Sequence, residues 1–302
     1  MSDVLLPSGV DVPFADIEST LLRDSGDAGK GSAMALTATV VVAGPAERLV
    51  EAAEAVTSLK DAGVRAVLIS HGDNPAPVAR VANHVVALNG LRLDYLNNAV
   101  AALRLSSLPT LVWWRGGNVP NLDGLAQLAD RLVLDTEDPG EVWQRVEQLA
   151  QHTSVTDLRW TRLTRWRALM AHFFDIPEVQ AARADFQTLR IEGSDEHVMR
   201  LFAGWIVSCV RRPDRLAFEL VERKGAAPIE VVKLGGKQEL VLQVAPSRTC
   251  VVTSARVSNL ASTSRTVSLG DGKLGTLLGE ELRIRARDLA FERAVAAARN
   301  IS

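Results

Sequence analysis

Apolar positions along the chain follow two successive patterns. From Leu36 onward, short apolar runs alternate with longer stretches at helical spacing. Leu36–Val42 is rich in β-branched residues and reads as a buried strand. Gly44-Pro45 then opens a helix, because proline suits the first helical position. Ala46, Leu49, Val50, Ala53, Val56 and Leu59 give that helix one apolar stripe, and Ala62-Gly63 ends it. Val64–Ser70, Val85–Leu88, Pro109–Trp114 and Arg131–Leu134 read as further strands. Leu93–Leu105, Leu122–Ala129 and Gly140–His152 read as helices between and after them. The alternation predicts an α/β domain over residues 34–153, built on a mainly parallel sheet with helices on its faces.

After residue 153 the spacing changes. A helix is expected from about residue 155 to Asp175, limited by Ile176-Pro177 because the residue before proline avoids helical geometry. A second helix covers Glu196–Val210. Five β-rich runs then follow closely: Leu216–Glu222, Ile229–Lys233, Glu239–Val244, Thr249–Val257 and Arg265–Leu269. Connections this short suit antiparallel strands. Leu277–Arg299, rich in Ala, Arg and Glu, reads as one long closing helix. Residues 154–302 are thus expected to form an α+β domain with an antiparallel sheet and a long C-terminal helix. Residues 1–33 are read as a short amphipathic helix, Phe14–Leu22, and a Gly/Ser/Asp linker, Asp24–Ala33.

Composition narrows the function. The 302 residues carry 34 Lys and Arg against 36 Asp and Glu. Without a basic excess, a general nucleic-acid or anionic-membrane binder is not expected. Met1–Val12 has no Lys or Arg and does not resemble a signal peptide. The most continuous apolar run, Leu201–Val210, spans roughly 15 Å as a helix, half a bilayer core. A cytoplasmic protein is expected. The two cysteines, Cys209 and Cys250, lie in apolar runs and are read as buried thiols without redox control.

Catalytic and metal signatures do not accumulate. The five histidines, at 71, 84, 152, 172 and 197, show no zinc-like spacing, and there is no HExxH, CxxC or GxSxG. His71 and Asp73 follow the strand Val64–Ser70, at the end where α/β sheets hold ligands, but they are read as an ordinary polar loop in preference to a ligand contact. Gly270, Gly272 and Gly275 match a dinucleotide-loop expression. The remaining residues read as helix to the end, so a second parallel strand is missing and the segment is read as a turn into the last helix. No cofactor, metal or catalytic residue is expected.

Four of the six tryptophans fall in two arginine-bearing segments. In LPTLVWWRG (108–116), Trp113 and Trp114 point to opposite faces of a strand. One is expected to pack under a helix and the other to emerge beside Arg115 as a partner or ligand surface, unless both faces are covered. In DLRWTRLTRWRALMAHFFD (157–175), Thr164 is a credible N-cap, and Leu169, Met170, Phe173 and Phe174 share a buried face. Trp166 and Arg167 then fall in the first turn, beside Arg165, and Trp160 and Arg162 have no evident place in that face. Tryptophan and arginine dominate protein interfaces. Phosphate binding by Arg159, Arg162 and Arg167, or cation–π stacking that pins the helix, are the competing uses.

These two segments resemble the signature stretches of the glucose-6-phosphate dehydrogenase assembly protein family, OpcA. ADRLVLDTEDP (129–139) and LLGEELRIRARDLAFERAVAAA (277–298) are in keeping with it. The family pattern commonly places proline where Arg165 stands, which leaves helix initiation to Thr164. The resemblance implies a non-catalytic protein that binds glucose-6-phosphate dehydrogenase and promotes its active oligomer. Trp113, Trp114, Arg115, Trp160, Arg162, Arg165, Trp166 and Arg167 are the candidate contact residues. The alternative is an enzyme or sensor that grips a sugar phosphate through the arginine cluster.

Overall fold

The computed structural model describes residue 6 and residues 9–21, 35–59, 62–75, 77–210, 213–257, 263–284 and 286–301. The expected linker Asp24–Ala33 lies outside them. Of the expected N-terminal helix, Phe14–Asp16 forms a 3₁₀ turn and residues 17–21 are helical. The chain divides into two compact units. The first comprises Met1–Leu158 and Lys273–Arg287, the second Arg159–Gly272 and Asp288–Ser302.

The first unit is built on an eight-stranded sheet. Its strands are β1 (Val10–Val12), β2 (Ala38–Gly44), β3 (Val64–Asn74), β4 (Ala79–Ala82), β5 (Val85–Leu91), β6 (Thr110–Trp114), β7 (Arg131–Leu134) and β8 (Ser154–Asp157). They run in the order β1-β4-β5-β3-β2-β6-β7-β8. The six strands from β5 to β8 are parallel, whereas β4 pairs antiparallel with β5 and β1 with β4. The sheet is therefore mainly parallel, as expected, with two antiparallel strands on one side, β4 and the edge strand β1, that the spacing did not announce. Counted along the chain, the parallel strands stand in the order 3-2-1-4-5-6 of doubly wound folds. Between them lie helices α1 (Ala46–Thr57), α2 (Leu96–Leu103), α3 (Leu122–Leu128), α4 (Gly140–Gln144) and α5 (Val146–Leu149).

One face of this sheet, through Val40, Val42, Ala66, Leu68, Leu111 and Trp113, packs on Leu49, Ala52 and Val56 of α1 and on Leu277 and Leu278. The last two belong to α10 (Leu274–Arg283), which lies against α1. Gly275 permits that approach, since a Cβ there would stand 2.2 Å from Ser58 Oγ. Gly270 and Gly272 have φ of +83° and +60°, so the expected turn into a helix is what the glycines build. Inside the unit, Arg131 Nε donates to Glu281 Oε2 at 2.6 Å and Arg131 Nη1 to Ser154 Oγ at 2.7 Å.

The second unit begins with α6 (Leu158–Arg162, from Arg159 onward), α7 (Thr164–Phe173) and α8 (Pro177–Ala181). Its six-stranded sheet contains β9 (Thr188–Gly193), β10 (Ala217–Glu222), β11 (Val231–Gly235), β12 (Glu239–Val244), β13 (Cys250–Arg256) and β14 (Thr263–Ser268), in the order β10-β9-β11-β12-β13-β14. The sheet was expected to be antiparallel throughout. It is mixed, because β9 and β10 pair in parallel through the crossover helix α9 (Glu196–Cys209). Asp195 caps α9 by accepting from Val198 N at 3.0 Å.

The single long C-terminal helix is a second correction. Helix α10 stops at Arg283, Ile284 is extended, and α11 (Leu289–Ala298) restarts with Asp288 accepting from Phe291 N at 2.9 Å. The composition is helix-favouring throughout, so only the capping aspartate marks the restart. Helix α11 then packs closely on α9. A Cβ on Gly204 would lie 2.2 Å from Ala294 O and 2.7 Å from Ala298 N, a contact only glycine allows.

Candidate functional site

Trp160, Leu163, Trp166, Met170 and Phe173 are all buried. Their spacing of three, three, four and three residues places them on one stripe running across α6 and α7. Trp160 is 2% exposed; its Nε1 donates to Asp288 Oδ2 at 2.7 Å and its ring centroid lies 5.8 Å from that of Phe291. Arg167 lies over the indole ring, with Cζ 3.6 Å from its centroid. Trp166 meets Phe202 of α9 edge to face at 6.4 Å. The sequence reading gave Trp160 no place in the buried face and took both tryptophans as contact residues. The structure corrects that, and it realises the competing use, stacking that pins a helix.

Thr164 is not the cap. It is the first helical residue after Leu163, which makes no side-chain capping bond, and its Oγ1 accepts from Arg167 Nη2 at 3.2 Å. Arg162 and Arg165 are exposed, and Arg165 Nη1 reaches Ser268 O at 3.4 Å. Arg159 is buried and Arg167 lies over Trp160, so Arg159, Arg162 and Arg167 do not present one open phosphate grip.

In the first unit, Trp113 and Trp114 are both fully enclosed. The expectation that one emerges is corrected: β6 is a central strand, covered on both faces. Trp113 Nε1 donates to Asp135 Oδ2 at 3.2 Å, and Trp114 Nε1 to Gly117 O at 2.8 Å. Arg115, 3% exposed, stands 4.8 Å over the Trp113 ring with Nε 2.9 Å from Asp135 Oδ2. Its two Nη atoms reach Arg48 O and the Glu51 carboxylate, and Arg48 Nη1 donates back to Arg115 O at 3.0 Å.

This knot sits at the carboxyl ends of β2 and β6, where the strand order reverses. Doubly wound folds hold their ligands in that crevice. At that end Arg115 packs on Gly44, where a Cβ would stand 2.9 Å from Arg115 Cβ. The β2–α1 turn, Gly44-Pro45-Ala46, also lacks the glycines that let a backbone approach a pyrophosphate. His71 lies nearby, its ring 5.1 Å from that of Trp114, and burial lowers its pKa to about 4. Arg48, Glu51 and Asp135 were not singled out from the sequence. Asp135, one residue past a predicted strand at its carboxyl end, was the legible signal.

Neither cysteine is buried: Cys209 is exposed and Cys250 half-buried. Cys209 ends α9, and Cys250 starts β13. Among the described residues no group of three or more His, Cys, Asp or Glu is placed to hold a metal, and no helix is long and apolar enough to cross a membrane.

Residues 153–295 match the family model OpcA_G6PD_C, described as the C-terminal domain of a glucose-6-phosphate dehydrogenase subunit. Over that stretch, a little under half of its length, the chain is similar to the OpcA family. Two curated OpcA proteins, each named an OxPP cycle protein, agree with that. Those of Nostoc punctiforme and Synechocystis sp. are each 29% identical over 125 residues, 38% of this chain. The match covers 27% and 26% of their lengths, so the chain corresponds to about a quarter of each relative. A super-repressor mutant of Gal80p from Saccharomyces cerevisiae aligns with 80% of this chain and 82% of its own at TM-score 0.34 and 10% identity. The OpcA-matched stretch contains α6, α7, the whole second sheet and most of α11.

Proposed function

We propose that this chain is a non-catalytic assembly factor that binds glucose-6-phosphate dehydrogenase and favours its active oligomer, in the cytoplasmic oxidative pentose phosphate pathway. The family match over residues 153–295 carries the reading, and the OxPP names of the two relatives support it.

An activator of this kind works by binding the active assembly more tightly than the inactive one. A tenfold shift in the enzyme's equilibrium needs about 1.4 kcal/mol of differential binding. Of the eight candidate contact residues, Arg162 and Arg165 are the exposed ones, and they are the side chains assigned to the contact. Size-exclusion chromatography of the purified chain mixed with its cognate dehydrogenase tests the reading. Co-elution is expected. Elution of the two proteins at their separate volumes, at micromolar concentrations, removes it.

A further inference from the structure

We propose that the chain pairs with a second copy of itself through the helical layer of the first unit, with α1 of each copy meeting the end of α10 of the other. Val50 and Ile284 mark the two ends of the contact, each 40% exposed although aliphatic. Val50 stands on the outer face of α1 with Glu47, Glu51 and Glu54, all exposed and three or four residues from it or from one another. Glu51 is already held by Arg115, so Glu47 and Glu54 carry the acidic end. Ile284 follows α10 in extended backbone, beside exposed Arg283 and close to exposed Arg287. Single aliphatic side chains on a surface are ordinary. Here each is flanked by charge of one sign, and the two signs are opposite. The complement of each patch is therefore present on the chain itself.

One copy cannot satisfy itself. Helix α1 starts just after Gly44, at the carboxyl end of β2, whereas Ile284 borders a small cavity lined by Ala38 and Pro109, at the amino ends of β2 and β6. The seven residues of β2 set the two ends roughly 20 Å apart. Both belong to one layer, because α1 and α10 pack side by side on the same face of the sheet. A two-fold axis through that layer sets the acidic end of each copy on the basic end of the other, so the contact is made twice and closes on itself. The two aliphatic side chains then leave water together, and the charges beside them steer the encounter.

The partner is another copy and not the dehydrogenase, so the purified chain alone is the sample. Sedimentation velocity at about 50 μM is expected to show a species of twice the 32.6 kDa chain mass. Raising NaCl from about 0.05 M to about 0.5 M should weaken the dimer. Glu47→Lys/Glu54→Lys and Arg283→Glu/Arg287→Glu should each be monomeric, because like charges then meet at both contacts. An equimolar mixture of the two should dimerise again, because opposite charges meet at both. Ile284→Ser, a change at an exposed side chain, should weaken the dimer at least about tenfold and reads the same contact if a charge-reversed variant melts early. Five results would each overturn the proposal: a native chain that stays monomeric, a mass that grows beyond two copies, a folded reversed variant that dimerises alone, a mixture of folded variants that stays monomeric, or Ile284→Ser dimerising as tightly as the native chain.

Discussion

Arg167 lies over the indole of Trp160 with its guanidinium carbon 3.6 Å from the ring centroid, while the indole Nε1 on the rim donates to Asp288 at 2.7 Å. One carboxylate thereby does two things. Asp288 Oδ1 caps α11 through Phe291 N, and Oδ2 anchors the tryptophan that begins the second unit. Asp288→Asn keeps an oxygen for the cap and places an amide against the indole N–H. Its expected cost is about 1–3 kcal/mol. Asp288→Ala also loses the cap, adding about 0.5–2 kcal/mol. Urea unfolding of both variants checks the ranking; equal stability of the two would show that the cap contributes nothing.

The pair Arg131–Glu281 joins β7 to α10 within the first unit, with both side chains almost fully buried. Glu281→Ala leaves a buried guanidinium without its anion and is expected to cost about 3–5 kcal/mol. The double variant Arg131→Met/Glu281→Leu should recover most of that loss, because two well-packed apolar groups replace an ion pair at little net cost. Thermal melting of the three proteins measures it. A double variant no more stable than Glu281→Ala would contradict the pairing.

His71 gives a pH dependence. Its folded pKa of about 4 lies below its ordinary value of 6.5, so the unfolded chain binds the proton more readily between those values. Stability from this group is complete above pH 6.5 and is lost as pH falls toward 4. Allowing for its partial exposure, the loss between pH 7 and pH 5 should be about 1–2 kcal/mol. His71→Gln should flatten this part of the profile. A histidine ring proton in the native spectrum that titrates near 6.5 and disappears in His71→Gln would contradict the burial.

Much of the first sheet was legible because buried parallel strands are short apolar runs with helices between them. Leu36–Val42, Val64–Ser70, Pro109–Trp114 and Arg131–Leu134 all became strands. The strands β1, β4, β8 and β9 carry polar or charged positions within short runs, so their pairing decides them more than their pattern does. The buried stripe from Trp160 to Phe173 was read too short because it crosses the irregular residue Leu163. Once the stripe is extended, both tryptophans lose their apparent freedom. The burial of Arg115 had no local signal at all, since it depends on Arg48, Glu51 and Asp135 arriving from two other elements.

With the tryptophans inside, Arg162 becomes the sharper test of the partner contact. Arg162→Glu should leave the melting temperature unchanged because the side chain is exposed. Truncating or reversing a true interface anchor costs about 2 kcal/mol or more, roughly a thirtyfold loss of affinity. Surface plasmon resonance against the cognate dehydrogenase reads it directly. Affinity within twofold of the native chain would take Arg162 out of the interface.

The central claim is that binding changes the dehydrogenase's assembly and, through it, its rate. Mass photometry of the cognate dehydrogenase, titrated with this chain while NADP reduction is followed on the same samples, measures both at once. The account predicts that the active oligomer and the rate rise together over one concentration range, and that the chain without the enzyme reduces no NADP. A chain that binds yet leaves oligomer distribution and rate unchanged, or that reduces NADP by itself, would contradict it.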